Sequence, residues 1–265
     1  MRTTAAAIRL MKDQQSIVLL SAYDAIWAQL GESAGADVLL VGDSVGIRVL
    51  GYGSVVPVTL EMLLHHLKAV VRGSARALVV ADMPLGDYGV DTAETVRHAV
   101  RLVKEGGAGA IKMAGGAELA GTVEALTKIG IPVMGHLGVN SSHAALGQAG
   151  PVVGVKPEER QAILDDAKAL EQSGVFALIA KCMAPEVTRE LAARTSVPII
   201  SIGSGKADGV GANIIDLVGL SKGVTWFSLR QIEGGELFGT GIADFVNGVK
   251  AGTVVAKSWK EDATH

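Results

Sequence analysis

Short apolar runs in this 265-residue chain repeatedly end in side chains that can do chemistry. Asp43-Ser44 follows VLLVG, Asp82 follows ALVVA, Lys112 lies within AIKM, His136 follows PVMG, and Lys181-Cys182 follows ALIA. Tyr23-Asp24, Ser201 and Ser204 occupy equivalent places after two further runs. Folding alone does not call for this pattern, because a buried charge is costly unless it is paired or bound to a metal. Two carboxylates at one mouth, Asp43 and Asp82, suit a hard divalent cation such as Mg²⁺, which keeps open positions for substrate oxygens. Either Asp alone reads equally well as the N-cap of a following helix. Lys112 is placed to face a substrate or to snorkel outward, and His136 is a substrate contact or a hydrogen-bonded wall residue. Cys182 reads as an inert buried thiol. His65-His66 read as surface or packing residues, and Glu158-Glu159 as a helix start favoured by the dipole.

The elements that position these residues alternate. Seven runs read as strands buried on both faces: Ser16–Tyr23, Val38–Asp43, Ala77–Asp82, Ala110–Met113, Pro132–His136, Ala177–Cys182 and Pro198–Gly203. An eighth is expected at Gly223–Leu229. Between them, helical spacing covers Ala25–Ala34, Leu60–Arg72, Thr92–Glu105, Glu118–Lys128, Pro157–Ser173 and Pro185–Ala193. Gly35, Gly106, Gly130 and Gly174 stand where a left-handed residue would end a helix. Eight β/α units close a (β/α)8 TIM barrel of the α/β class, whose catalytic face is the C-terminal end of the strands. The alternative, a doubly wound sheet, is weakened because no G-x-G-x-x-G follows the first strand. A single domain is expected, with residues 1–15 an N-terminal extension or helix, 16–256 the barrel and 257–265 a charged tail.

Composition narrows the function classes. With 24 basic against 27 acidic residues and no basic cluster, a nucleic-acid partner is not expected. No apolar run reaches the ~20 residues of a membrane span. One cysteine excludes an internal disulfide framework and fits a reducing compartment, so a cytoplasmic enzyme is expected.

Several stretches resemble the ketopantoate hydroxymethyltransferase (3-methyl-2-oxobutanoate hydroxymethyltransferase) family: Leu19–Ala25, Asp37–Gly46, Leu50–Tyr52, Pro57–Leu60, Arg76–Pro84 and Gly135–Gly138. The resemblance implies a barrel of the phosphoenolpyruvate mutase and isocitrate lyase superfamily, Mg²⁺ dependence and a large cyclic homo-oligomer, a decamer. It also implies transfer of a hydroxymethyl group from 5,10-methylenetetrahydrofolate to a branched 2-oxo acid, an early step of pantothenate biosynthesis. By the same resemblance Asp43 and Asp82 hold the metal, while Ser44, Asp82 and Lys112 contact substrate.

The chain also departs from the family. The family's Leu-Glu-Gly-Gly after its Lys is here Met113-Ala114-Gly115-Gly116, so Ala114 replaces a metal-side Glu. Its Leu-Glu-Cys-Val-Pro, which carries the general base, is here Ala180-Lys181-Cys182-Met183-Ala184. Its Leu-Thr-Pro-Gln-Ser is here Val139-Asn140-Ser141-Ser142-His143, a change that bears on use of the folate donor. Lys181 is thus the expected catalytic residue, as base, Schiff-base amine or fixed cation, with a pKa lowered by burial and neighbouring charge. The expected function is the family's hydroxymethyl transfer. The alternatives are a diverged aldolase, lyase or hydrolase using Lys181, and an inactive binding or assembly subunit.

Overall fold

A computed structural model describes residues 2–147, 150–221 and 225–256. Eight parallel strands close into one barrel in sequence order: β1 (Ile17–Ser21), β2 (Val38–Val41), β3 (Leu78–Asp82), β4 (Ala110–Ala114), β5 (Val133–Gly138), β6 (Ala177–Lys181), β7 (Ile199–Ile202) and β8 (Gly209–Asn213). Around it lie α1 (Ala5–Leu10), α2 (Ala25–Ser33), α3 (Val45–Arg48), α4 (Leu60–Gly73), α5 (Thr92–Lys104), α6 (Ala120–Lys128), α7 (Ser141–Ala145), α8 (Pro157–Gln172), α9 (Pro185–Arg194), α10 (Ile214–Leu217) and α11 (Gly234–Lys250). The expected (β/α)8 barrel is therefore present.

Side chains alternate across a strand, and that parity sets the site. Leu78, Val80 and Asp82 share one side of β3, as Ala110 and Lys112 share one side of β4. Met134 and His136 do so on β5, and Ala177, Ile179 and Lys181 on β6. The apolar members of these sets form one core cluster with Ile17, Leu19, Val38, Leu40 and Ile200. The last residue of each set therefore emerges at the C-terminal mouth. The other parity, including Leu39, Val79, Ile111, Val133 and Leu178, belongs to a second cluster under the surrounding helices. Helix α1, capped by Thr4, sends its fully buried Ile8 into the inner cluster.

Two expectations need correction. The eighth strand is Gly209–Asn213, not Gly223–Leu229; residues 223–224 lie outside the described residues, and 225–229 form a turn over the mouth. The closing strand escaped notice because it is made of small residues, which close packing demands. A Cβ on Gly209 would stand 2.5 Å from the Ile17 carbonyl oxygen, and one on Gly211 2.8 Å from Ile202. Gly35, Gly130 and Gly174 have the expected positive φ, but after α5 the left-handed residue is Gly107 rather than Gly106. Among the described residues no helix is long and apolar enough to cross a membrane. The tail 257–265 lies outside the described residues.

One face of the barrel is uncovered among the described residues. Outward-facing Val18 on β1 and Val210 on β8 are register partners, yet are 42% and 50% exposed. Their counterparts Val79, Ile111 and Ile199 are fully buried. Helix α11 carries a stripe of exposed Phe238, Ile242, Phe245 and Val249, and its only buried residue is Gly234.

Candidate active site

The mouth opens into a cavity of about 210 Å³ lined by Asp43, Ser44, Asp82, Lys112, His136 and Lys181, so all six expected site residues meet there. Ser141, Asn213 and Phe227 line the same space. The volume suits a small organic acid rather than a macromolecule.

Asp82 and Lys112 are register partners on neighbouring strands. Their side chains form a buried ion pair, Nζ to Oδ1 at 2.6 Å. Burial works against the Lys112 ammonium, but Asp82 and Asp43 outweigh it and its pKa rises. Asp82 Oδ2 also accepts from the Asp43 backbone N–H at 3.4 Å. Asp43 itself is different. Burial and then the neighbouring Asp82 push its carboxyl up to about 6. Two crowded carboxylates at a barrel mouth form an arrangement that a cation relieves. Ser44 is hydrogen-bonded to the fully buried Tyr23 hydroxyl at 2.7 Å, which accepts in turn from Asn213 Nδ2 at 2.5 Å. This chain ties the ends of β1, β2 and β8 together, and burial pushes the Tyr23 phenol up, so it stays protonated.

His136 is buried, and neither ring nitrogen has a hydrogen-bond partner among the described residues. Burial, then the cations Lys112 and Lys181, hold it neutral. A buried polar group left unpaired costs about 1–3 kcal/mol. A ligand bound in the cavity would relieve that cost.

Lys181, at the end of β6, donates to Ser141 Oγ at 2.5 Å and stands 5.8 Å from the centre of the Phe227 ring. Burial lowers its pKa, Asp43 opposes that, and Lys112 adds to it. The Cys182 thiol is buried and its pKa is raised by burial, in keeping with an inert thiol. His66 packs as expected, with its Nδ1 hydrogen-bonded to the Tyr23 carbonyl at 2.7 Å.

Asp43 and Asp82 are the acidic pair available to a cation, and no cluster of three or more His, Cys, Asp or Glu ligands exists among the described residues. Ala114, register partner of His136, contributes no side-chain ligand, and its carbonyl accepts from the Tyr88 hydroxyl at 3.0 Å. The pair still fits Mg²⁺, which commonly takes one or two protein carboxylates and fills the rest of its shell with water and substrate oxygens.

Sequence reasoning missed Ser141, Asn213, and the Arg48–Asp216 ion pair (2.8 Å) that Ser228 braces from the turn over the mouth. A signal for Ser141 was present, since it departs from the same family motif set as Lys181.

The pattern of the ketopantoate hydroxymethyltransferase family matches residues 2–255. A 3-methyl-2-oxobutanoate hydroxymethyltransferase of Carboxydothermus hydrogenoformans is 43% identical over 253 residues, 94% of this chain and 91% of that protein. Its namesake in Shouchella clausii is 40% identical over 252 residues, 94% and 90% of the two chains. Among solved structures, phosphonopyruvate hydrolase in complex with oxalate and Mg²⁺ superposes with a TM-score of 0.63 at 14% identity, covering 98% of this chain and 93% of that one. Phosphoenolpyruvate phosphomutase of Streptomyces platensis gives 0.59 at 17% identity, covering 96% and 92%. At such identities these two show the shared fold.

Proposed function

The chain belongs to the ketopantoate hydroxymethyltransferase family, and from that premise we infer an enzyme that transfers a hydroxymethyl group to C3 of a branched 2-oxo acid, with Lys181 rather than a carboxylate exchanging the C3 proton. The observation that carries this reading is the convergence of the Asp43–Asp82 pair, Lys112, neutral His136 and the amine of Lys181 on one small cavity. Asp43 and Asp82 would hold Mg²⁺, which when bound supplies Lewis acidity at the keto oxygen. Lys112 offers its ammonium to the substrate carboxylate while Asp82 keeps it charged. Ser44 and His136 contribute hydrogen bonds to the bound acid. Lys181, whose pKa is lowered, takes the proton from C3 and leaves an enolate to attack the one-carbon donor.

A reaction mixture of 5,10-methylenetetrahydrofolate, 3-methyl-2-oxobutanoate and Mg²⁺ tests the reading. It should yield ketopantoate, the product that leads to pantothenate. Turnover only with another aldehyde or one-carbon donor would assign the chain to the diverged aldolase or lyase reading. The altered Val139–His143 segment is the feature that favours that reading.

The reading includes a homo-oligomer in which a second copy's α11 covers the bare Val18–Val210 face. The apolar stripe on α11 and the bare strand pair support it, since large exposed apolar patches mark interfaces. Light scattering should find dimers or larger rings, with Phe245→Asp shifting the population to monomer. A monomeric wild type would contradict it.

A further inference from the structure

The loop after β5 grips the end of β6 at two points. The Val139 N–H donates to the Lys181 carbonyl at 2.9 Å, and the Lys181 amine donates to Ser141 Oγ at 2.5 Å. Gly138 makes the approach possible. It has φ +100°, and a Cβ there would collide with the Lys181 carbonyl. On the far flank Cys182 adopts φ 50°, a region uncommon for non-glycine residues, and its N–H donates to the Ile202 carbonyl at 2.9 Å. The backbone of Lys181 is thus pinned on both sides, and the one remaining freedom is where the amine points.

We propose that Ser141 is a positioning residue for Lys181, taking one N–H of the amine so that the rest of the amine is directed into the cavity. This rests on the reading of Lys181 as the group that exchanges the C3 proton. A hydroxyl suits the task better than a carboxylate. A carboxylate would hold the amine as ammonium, whereas a hydroxyl oxygen accepts an N–H from either protonation state. The charged or titratable groups around the amine are Asp43 beyond β2, Asp82 on β3, Lys112 on β4, His136 on β5 and Cys182 after β6. Lys181 makes no ion pair among the described residues, and Asp82 pairs through Oδ1 with Lys112. Ser141 and Lys181 also depart together from the motifs the chain resembles, where a Pro and a Glu stand in their places. The side chain of a Pro offers no acceptor to an amine.

The test uses the full-length protein with Mg²⁺ and reads two quantities in Ser141→Ala, Ser141→Thr and Ser141→Asp. One is the pH profile of kcat and KM. The other is the pH midpoint for acylation of Lys181 by acetic anhydride, followed by mass spectrometry and independent of activity. Ser141→Ala should lower kcat about tenfold, the scale of lost supporting hydrogen bonds, with KM within about twofold. Its acylation midpoint should move modestly to lower pH, because a hydroxyl oxygen accepts somewhat more strongly from ammonium than from the neutral amine, though far less selectively than a carboxylate. Ser141→Asp should move the midpoint the other way, and Ser141→Thr should restore both readouts. Unchanged midpoints in the Ala and Asp variants overturn the role of Ser141. Full activity in Lys181→Met overturns the base reading beneath it, a separate result. If the Asp variant fails to fold, the Ala and Thr pair still decides.

Discussion

Replacing Lys181 by Met should lower turnover on the branched 2-oxo acid by at least ~100-fold, the scale of a lost general base, while raising the melting temperature at neutral pH. The two effects have one cause. Burial holds the pKa of Lys181 below its unfolded value. The unfolded chain therefore binds more protons than the folded one across the window between the two values. Stability rises with pH through that window, and the penalty is fully present below the folded pKa. Met keeps the volume and removes the penalty together with the amine. In the wild-type pH profile, kcat/KM should climb as Lys181 deprotonates, with a midpoint below that of free lysine, and the climb should be absent from any residual activity of the Met variant. Borohydride trapping with the 2-oxo acid separates base from Schiff base, since a covalent adduct on Lys181 forms only in the second case. A Met variant with wild-type turnover would reduce Lys181 to a bystander.

The second large effect is expected at Asp82. In Asp82→Asn the side chain keeps its shape but loses the charge that pairs with Lys112 and repels Asp43. Mg²⁺ should raise the melting temperature of the wild type and leave that of the Asn variant unchanged. Activity should fall by two or more orders of magnitude, because the variant lacks both the proposed metal ligand and the partner that steadies Lys112. Asp82→Ala goes further, stranding a buried ammonium, and should cost about 3–5 kcal/mol of stability. A Mg²⁺-induced stabilisation that survives in Asp82→Asn would place the cation elsewhere.

The barrel and its mouth were legible wherever an apolar strand carried one incongruous residue. Asp82, Lys112, His136 and Lys181 each share strand parity with inward-facing Val, Ala, Met or Ile, so the same alternation that builds the core delivers them to one rim. The eighth strand was not legible because Gly-Val-Gly-Ala-Asn lacks an apolar run, and its smallness answers to Ile17 and Ile202, contacts made only in the closed barrel. Helix α11 escaped for a related reason: Gly239, Gly241 and Gly248 interrupt a pattern whose apolar stripe finds no cover among the described residues. The long-range pairs of the site, Lys181 with Ser141 and Tyr23 with Asn213, join segments 40 and 190 residues apart. No local spacing encodes them.

Proton exchange at C3 of 3-methyl-2-oxobutanoate in D₂O, followed by proton NMR with Mg²⁺ and without any one-carbon donor, addresses the central claim most directly. It isolates enolate formation from the identity of the donor. The wild-type protein should replace the C3 proton with deuterium during the incubation, and Lys181→Met should leave the C3 signal intact. No exchange with the wild type, or equal exchange with both proteins, would contradict the assignment of Lys181 as the group that moves the C3 proton.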